Sequence, residues 1–187
     1  MTIIRDGSGS GFEARVTSDN RLAVSSSIAS AVATASAENQ GAFSACAQQN
    51  ISLTAASGES GVLYIAPSDI PFVLGAFAVG SDVSGVWRAY ANVTGGTLIS
   101  AGTSVDAVNL NLASGRVFGG TVLRGANGLT VTGGSVVFYG ETAAGFSTLD
   151  TAGALIVPPG ATVALTFEPS ADAVVQAQAL IALAENG

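Results

Sequence analysis

The chain has no histidine and no lysine, a single cysteine, and only 10% charged residues. Each shortage removes a class of chemistry. Histidine is the side chain whose ordinary pKa lies nearest neutrality and the commonest metal ligand, so its absence removes the usual general base and the usual metal donor. The lone Cys46 excludes an intrachain disulfide. With no histidine to activate it, a small buried hydrophobe is a better reading than a nucleophile. Six arginines stand against 13 acids, for a net charge of −7, and the acids are scattered. No basic patch exists to neutralise phosphates, so no nucleic-acid partner is expected. No stretch approaches the ~18 apolar residues of a membrane helix, so no membrane partner is expected either. The segment 28–37 is apolar by count but is interrupted by Ser30, Thr34 and Ser36. The opening MTIIRDGSGSG lacks the apolar core and cleavage site of a signal peptide, which sets the expectation of synthesis in a cytoplasm.

What is present is the material of strands and tight turns: 24 glycines, with abundant Ala, Ser, Thr and Val. Globular domains carry about 25% charged residues. A surface this poor in charge suits burial against other copies or another protein better than free solution. The length suits one domain of fair size with an appended arm, able to bury a core without a metal or disulfide staple.

The organisation divides near residue 40. Residues 1–12 are rich in Gly and Ser and read as a segment that stays flexible or extended until something pins it. Phe12–Thr17, the turn Ser18-Asp19-Asn20 and Arg21–Val24 read as a hairpin. Residues 25–40 read as either a short helix, capped by Ser26 or Ser27 and ended by Gly41, or a linker. From Ala42 the β signal is strong. Ile51–Ala55 alternates, Gly61–Ala66 closes at Pro67, Phe72–Val79 reads as a buried strand, and Val86–Thr94 alternates with Trp87 and Arg88 on opposite faces. Val108–Leu112 and Val117–Leu123 supply further strands. The string Val-Thr-Gly-Gly occurs twice, 38 residues apart, and each copy reads as a hairpin turn: Gly95-Gly96 into Leu98–Ala101, and Gly133-Gly134 between Leu129–Thr132 and Ser135–Tyr139. Leu155–Val157, Pro158-Pro159-Gly160 and Ala161–Phe167 read as strand, type II turn, strand, and Asp172–Leu183 alternates as a closing strand. About ten short strands with turns every 8–12 residues predict an all-β chain. That is the pattern of a β-sandwich or barrel, and the expectation taken forward is an antiparallel β-sandwich, jelly-roll-like, over 41–187, with an extended N-terminal arm over 1–40.

Candidate chemistry is thin. Gly7-Ser-Gly9-Ser-Gly11 lacks the preceding strand and the following Lys of a phosphate loop. Glu141 with Asp150, or Glu59 with Asp69, could serve as a glycosidase pair only if the fold placed them at the right separation. Asp106, Asn109 and Asn111 offer oxygens to calcium but not in the EF-hand spacing. Asn50-Ile-Ser52 and Asn92-Val-Thr94 match glycosylation acceptors. Tyr64, Trp87, Tyr90 and Tyr139 could line a sugar groove, although core and interface packing accounts for them equally. Nothing in this set calls for a catalytic residue, a cofactor or a metal.

Several stretches together resemble small virion proteins of tailed bacteriophages. They are Gly7–Val24, with its Gly-Ser-Gly-Ser-Gly-Phe-Glu-Ala-Arg-Val-Thr-Ser-Asp-Asn-Arg-Leu-Ala-Val run, Glu38–Phe43, Gly61–Ile65, and Val157–Leu165. The pair Ala66-Pro67 departs from the pattern. The resemblance implies a capsid decoration (cement) or head-fibre protein, a β-sandwich and often a trimer, without catalytic residues. It would sit on the capsid surface of the virion and bind the major capsid protein and its own copies. The arm is then the expected partner-binding element, through Ile3, Ile4, Arg5, Phe12, Arg15, Arg21, Leu22 and Val24. The alternatives are a tail-fibre, baseplate or receptor-binding component, and a carbohydrate-active enzyme.

Overall fold

A computed structural model describes residues 3–5, 13–16, 22–23, 42–67, 69–110 and 116–183. Fourteen strands occur among them, together with a 3-10 turn at Ala55–Ser57 and one short helix. The body runs β4 (Ala42–Leu53), β5 (Ser60–Ala66), β6 (Phe72–Ser81), β7 (Gly85–Ala91), α1 (Thr97–Ala101), β8 (Thr103–Ser104), β9 (Ala107–Asn109) and β10 (Thr121–Arg124). It continues with β11 (Ser135–Thr142), β12 (Gly145–Val157), β13 (Val163–Pro169) and β14 (Ala173–Leu183). Two antiparallel sheets pack face to face as a sandwich. One has the order β11-β7-β13-β5-β10-β8 and the other β12-β6-β14-β4-β9.

The pairing is nested. β4 pairs with β14, β5 with β13, β6 with β12 and β7 with β11. The second half of the body therefore runs back along the first, like one long hairpin, and successive strands fall in alternate sheets. That is the jelly roll. The described residues of 92–110 and 116–134 form the tip of the hairpin and carry α1, β8, β9 and β10, which widen the two sheets beside β5 and β4.

Period-two patterning drives this arrangement. Along β14, Val175, Ala177, Ala179 and Ile181 are buried while Val174 and Gln176 face out. Along β7, Trp87 and Ala89 point into the core and Arg88 points away. Phe43, Phe72, Phe77, Leu74, Leu165, Phe167 and Ile181 fill the space between the sheets. Full burial of each such side chain contributes about 1.5–3 kcal/mol. A second, smaller apolar cluster covers part of the outer face of the six-stranded sheet, where Leu98 of α1 and Val93 close over Tyr64 and Ala164.

Both Gly-Gly expectations are corrected. Leu98–Ala101 is helix, not strand, and Gly133-Gly134 does not join Leu129–Thr132 to β11 as a hairpin. The two Val-Thr-Gly-Gly strings instead pair with each other through the Gly95–Thr132 bridge. Thr132 N–H donates to Gly95 O (2.9 Å), and the Thr94 and Gly95 N–H groups donate to Thr132 O (3.2 and 3.1 Å). A Cβ added at Gly133 would fall 2.2 Å from Thr94 Oγ1, and one at Gly95 would fall 2.9 Å from Thr132 Oγ1. The threonine of each string thus rests on the first glycine of the other. Gly133 and Gly134 do have the positive φ of a turn (71° and 80°), but they use it to lead the chain from this clamp into β11.

The Pro158-Pro159-Gly160 turn forms as expected, with Gly160 at φ 83° and Ala161 N–H donating to Pro158 O at 3.0 Å. It joins strands of opposite sheets. In the N-terminal part the expected hairpin is present as β2 (Glu13–Val16) paired with β3 (Leu22–Ala23), and Ile3–Arg5 forms an extended strand, β1, paired with β2. The β-branched Ile3 and Ile4 suit that state. The expected helix or linker at 25–40 lies outside the described residues.

Gly125 lies where β10 leaves β5, and a Cβ there would fall 1.7 Å from Gly61 O. Nothing lies within 4 Å of a Cβ at Gly160. Gly125→Ala should therefore cost about 3 kcal/mol, the upper range for overpacking. Gly160→Ala should cost about 1 kcal/mol, from its left-handed φ alone. Urea denaturation of the two variants measures the difference.

Candidate functional site

Two features of the surface are organised enough to act. The first is a polar stitch on the outer face of the six-stranded sheet. Alternation along β7 puts Arg88 and Tyr90 on this face, and register places Thr166 beside Arg88 and Glu168 beside Val86. Glu59 reaches in from just before β5. Arg88 Nη1 donates to Glu59 Oε2 at 3.0 Å and to Glu168 Oε2 at 2.9 Å. Glu59 Oε1 accepts the Tyr90 hydroxyl at 2.9 Å and the Thr166 hydroxyl at 2.5 Å. Partial burial works against the Arg88 charge, but the hydrogen bond to Glu168 and the two carboxylate charges outweigh it and raise its pKa further. Tyr90 is pushed up by burial first, then by its bond to Glu59 and the charge of that carboxylate. Burial also raises Tyr64.

Through Arg88 the fold brings Glu168 beside Glu59, a pairing that sequence spacing did not suggest. Both carboxylates share one guanidinium nitrogen, and Glu59 accepts three hydrogen bonds. These bonds tie the Glu59 carboxylate to β7 and β13. The stitch ties the lead-in of β5 to β7 and β13. Glu141 and Asp150 stand on β11 and β12, in different sheets.

The remaining sequence candidates separate. Trp87 is buried in the core against Gly140, whereas Tyr64 and Tyr90 belong to the outer cluster and Tyr139 is exposed. They do not line one groove. Asn109 Nδ2 donates to Arg116 O at 2.8 Å, and Asn111 lies outside the described residues. Among the described residues no group of three or more His, Cys, Asp or Glu could hold a metal ion. Of the arm residues, Ile3, Ile4 and Arg5 lie in β1, Arg15 in β2 and Leu22 in β3. Ile3 is in register with Arg15, and Arg15 with Ala23. Phe12, Arg21 and Val24 lie outside the described residues. Of the two glycosylation matches, Asn50 is in β4, and Asn92 is an exposed residue at positive φ (57°) that follows β7.

The second feature was not anticipated. β11 and β12 end their respective sheets on the same side of the sandwich, are joined by residues 143–144, and touch. Their exposed positions include five large apolar side chains, Val136, Val137 and Tyr139 on β11 and Phe146 and Ile156 on β12, beside the polar Ser135, Glu141, Thr148 and Asp150. Tyr139 and Phe146 are each 74% exposed and Ile156 is 61% exposed. Neither strand contains lysine or proline, the usual guards of an open edge. Each has an irregular register, at Val136–Phe138 in β11 and at Asp150–Leu155 in β12. Behind β11, the Trp87 indole N–H is buried without a hydrogen-bond partner. The Val-Val-Phe-Tyr run identified β11 as a strand, but nothing local marked it as an edge.

No protein-family model, no curated protein and no solved structure matches the chain.

The tyrosine shifts have a signed consequence. A raised phenol pKa means that the folded state holds the proton more tightly. The associated stability is complete below the ordinary value of about 10 and is lost as pH rises through the folded-state value. Tyr90→Phe should cost about 1.5–3 kcal/mol at neutral pH, the range for a hydrogen bond to a charged group. The gap to wild type should narrow above pH ~10. Melting temperatures from pH 8 to 11 follow both effects.

Proposed function

We propose that the chain is a non-enzymatic structural protein of a tailed-bacteriophage virion, which decorates and stabilises the outer surface of the capsid as a homotrimer bound to the major capsid protein. The observation that carries this reading is the exposed apolar β11–β12 edge on a jelly roll with only 10% charged residues. Such an edge is a hazard in a free monomer and an asset in an assembly. Jelly rolls are a recurrent architecture of viral capsid and lectin domains, which agrees with the role without proving it. A cement protein needs a rigid body and a surface that can be buried. It stabilises a shell by mass action because it binds the assembled form alone, by about 2.7 kcal/mol per site at a hundredfold excess over Kd.

A second reading is a receptor-binding tail component. Tyr139 and Phe146, exposed aromatics on neighbouring edge strands, also suit stacking on sugar rings. Binding to host glycans on an array, with no affinity for capsids, would favour it.

The N-terminal segment is the proposed attachment element. Deleting residues 2–12 removes β1 and leaves the strands of the sandwich intact. Its melting temperature should stay within about 4 °C of wild type, the shift that ~1 kcal/mol produces in a chain of this size. Binding to particles stripped of the native protein should fall by about tenfold or more, as expected when anchor residues are lost. Equal binding by the truncated chain would move the attachment surface to the sandwich.

A further inference from the structure

We infer that the β11–β12 edge is the docking site for the N-terminal sheet of a second copy of this chain, with β1 extending the six-stranded sheet beyond β11. The inference concerns association in solution and stands apart from what the assembly decorates.

The edge supplies half of the argument. β11 pairs with β7 on one side, and among the described residues no strand pairs with it on the other, which is the arrangement an added strand can complete. The large apolar side chains exposed around that edge are Val136, Val137, Tyr139, Phe146 and Ile156. An added strand would satisfy the backbone groups and cover the apolar side chains together.

Charge selects the occupant. In residues 1–24, Arg5, Arg15 and Arg21 are balanced by Asp6, Glu13 and Asp19, so the whole net charge of −7 falls on the rest of the chain. Two bodies meeting edge to edge would bring like net charge together, since the whole −7 lies outside residues 1–24. The N-terminal segment is neutral and holds half of the arginines. It also carries Ile3, Ile4, Phe12, Leu22 and Val24, an apolar set matching that of the edge. It already forms an antiparallel sheet, in which β1 is an outer strand. Arg5 on β1 and Glu141 on β11 are opposite charges at the ends of the two strands to be joined.

The protein supplies its own reporter. Trp87 is the one tryptophan and lies directly behind β11 against Gly140, so occupancy of this edge should alter its emission. The first test compares the full-length chain with Tyr139→Lys, a change at an exposed position that guards the strand. Sedimentation equilibrium should show wild type associating at micromolar concentration and Tyr139→Lys with an apparent Kd raised about tenfold or more. Dilution should shift Trp87 emission in wild type and not in the variant. The second test identifies the occupant. In a Cys46→Ser background, chains with Ile4→Cys are mixed with chains with Tyr139→Cys under mild oxidation. The mixture should form disulfide-linked heterodimers well in excess of the homodimers from either variant alone. If Tyr139→Lys unfolds, as far-UV circular dichroism would report, the cysteine experiment still decides the matter. A monomeric wild type, or a folded Tyr139→Lys that associates like wild type, would overturn the inference. Preferential linking of Tyr139→Cys chains to one another would also overturn it, by assigning the edge to a second body.

Discussion

The nested antiparallel pairing of the two halves of the body is the constraint on which the rest depends. Once β7 meets β11, the strands on either side have only one way to continue: β6 finds β12, β5 finds β13 and β4 finds β14. Where the long hairpin turns, the Gly95–Thr132 bridge joins the ends of the segment that leaves β7 and returns as β11. Two threonines seated on two glycines permit that approach, and a larger residue at either glycine would push the strands apart. The same pairing places β11 and β12 at the ends of their sheets on one side of the molecule. The position of the apolar edge is therefore a consequence of topology and not of a local motif.

The proposed role in an assembly rests on composition and structure together. The strongest polar cluster, Arg88 with Glu59, Glu168, Tyr90 and Thr166, turns its groups toward one another and fastens three segments of one sheet. The exposed apolar residues collect at the edge instead. A surface with so few charges has little to keep it solvated, and the edge has neither lysine nor proline, its guards being Glu141, Asp150 and the two register irregularities. Both features make sense when the edge is covered in the working state. The N-terminal sheet, neutral and rich in arginine relative to the body, is the part of the chain best matched to cover it.

Much of the fold was legible because it rests on period-two alternation, which is local. Val175 to Leu183 announced the closing strand, Trp87 and Arg88 their opposite faces, and Pro158-Pro159-Gly160 its turn. The Gly-Gly pairs misled for a physical reason. Positive φ at Gly133 and Gly134 is required by a hairpin and by a corner alike, and only the partner strand distinguishes them. Leu98–Ala101 reads as a strand because it follows a Gly-Gly pair, yet Leu98 packs over Tyr64, and a single helical turn delivers it there. The surface features were less legible still. Glu59 and Glu168 are far apart in sequence and meet only through the β5–β13–β7 register. No residue in Val136–Tyr139 signals that β11 will lack a neighbour, because the end of a sheet is a property of the whole topology.

The central claim is that this chain is an assembly component held on the outside of a capsid. Cryo-electron microscopy of intact particles bearing the protein, with a matching set lacking it, tests that claim most directly. The account predicts repeated density of jelly-roll size on the outer face of the shell, present in the first set and absent from the second. Density confined to the tail, or no difference between the two shells, would contradict it.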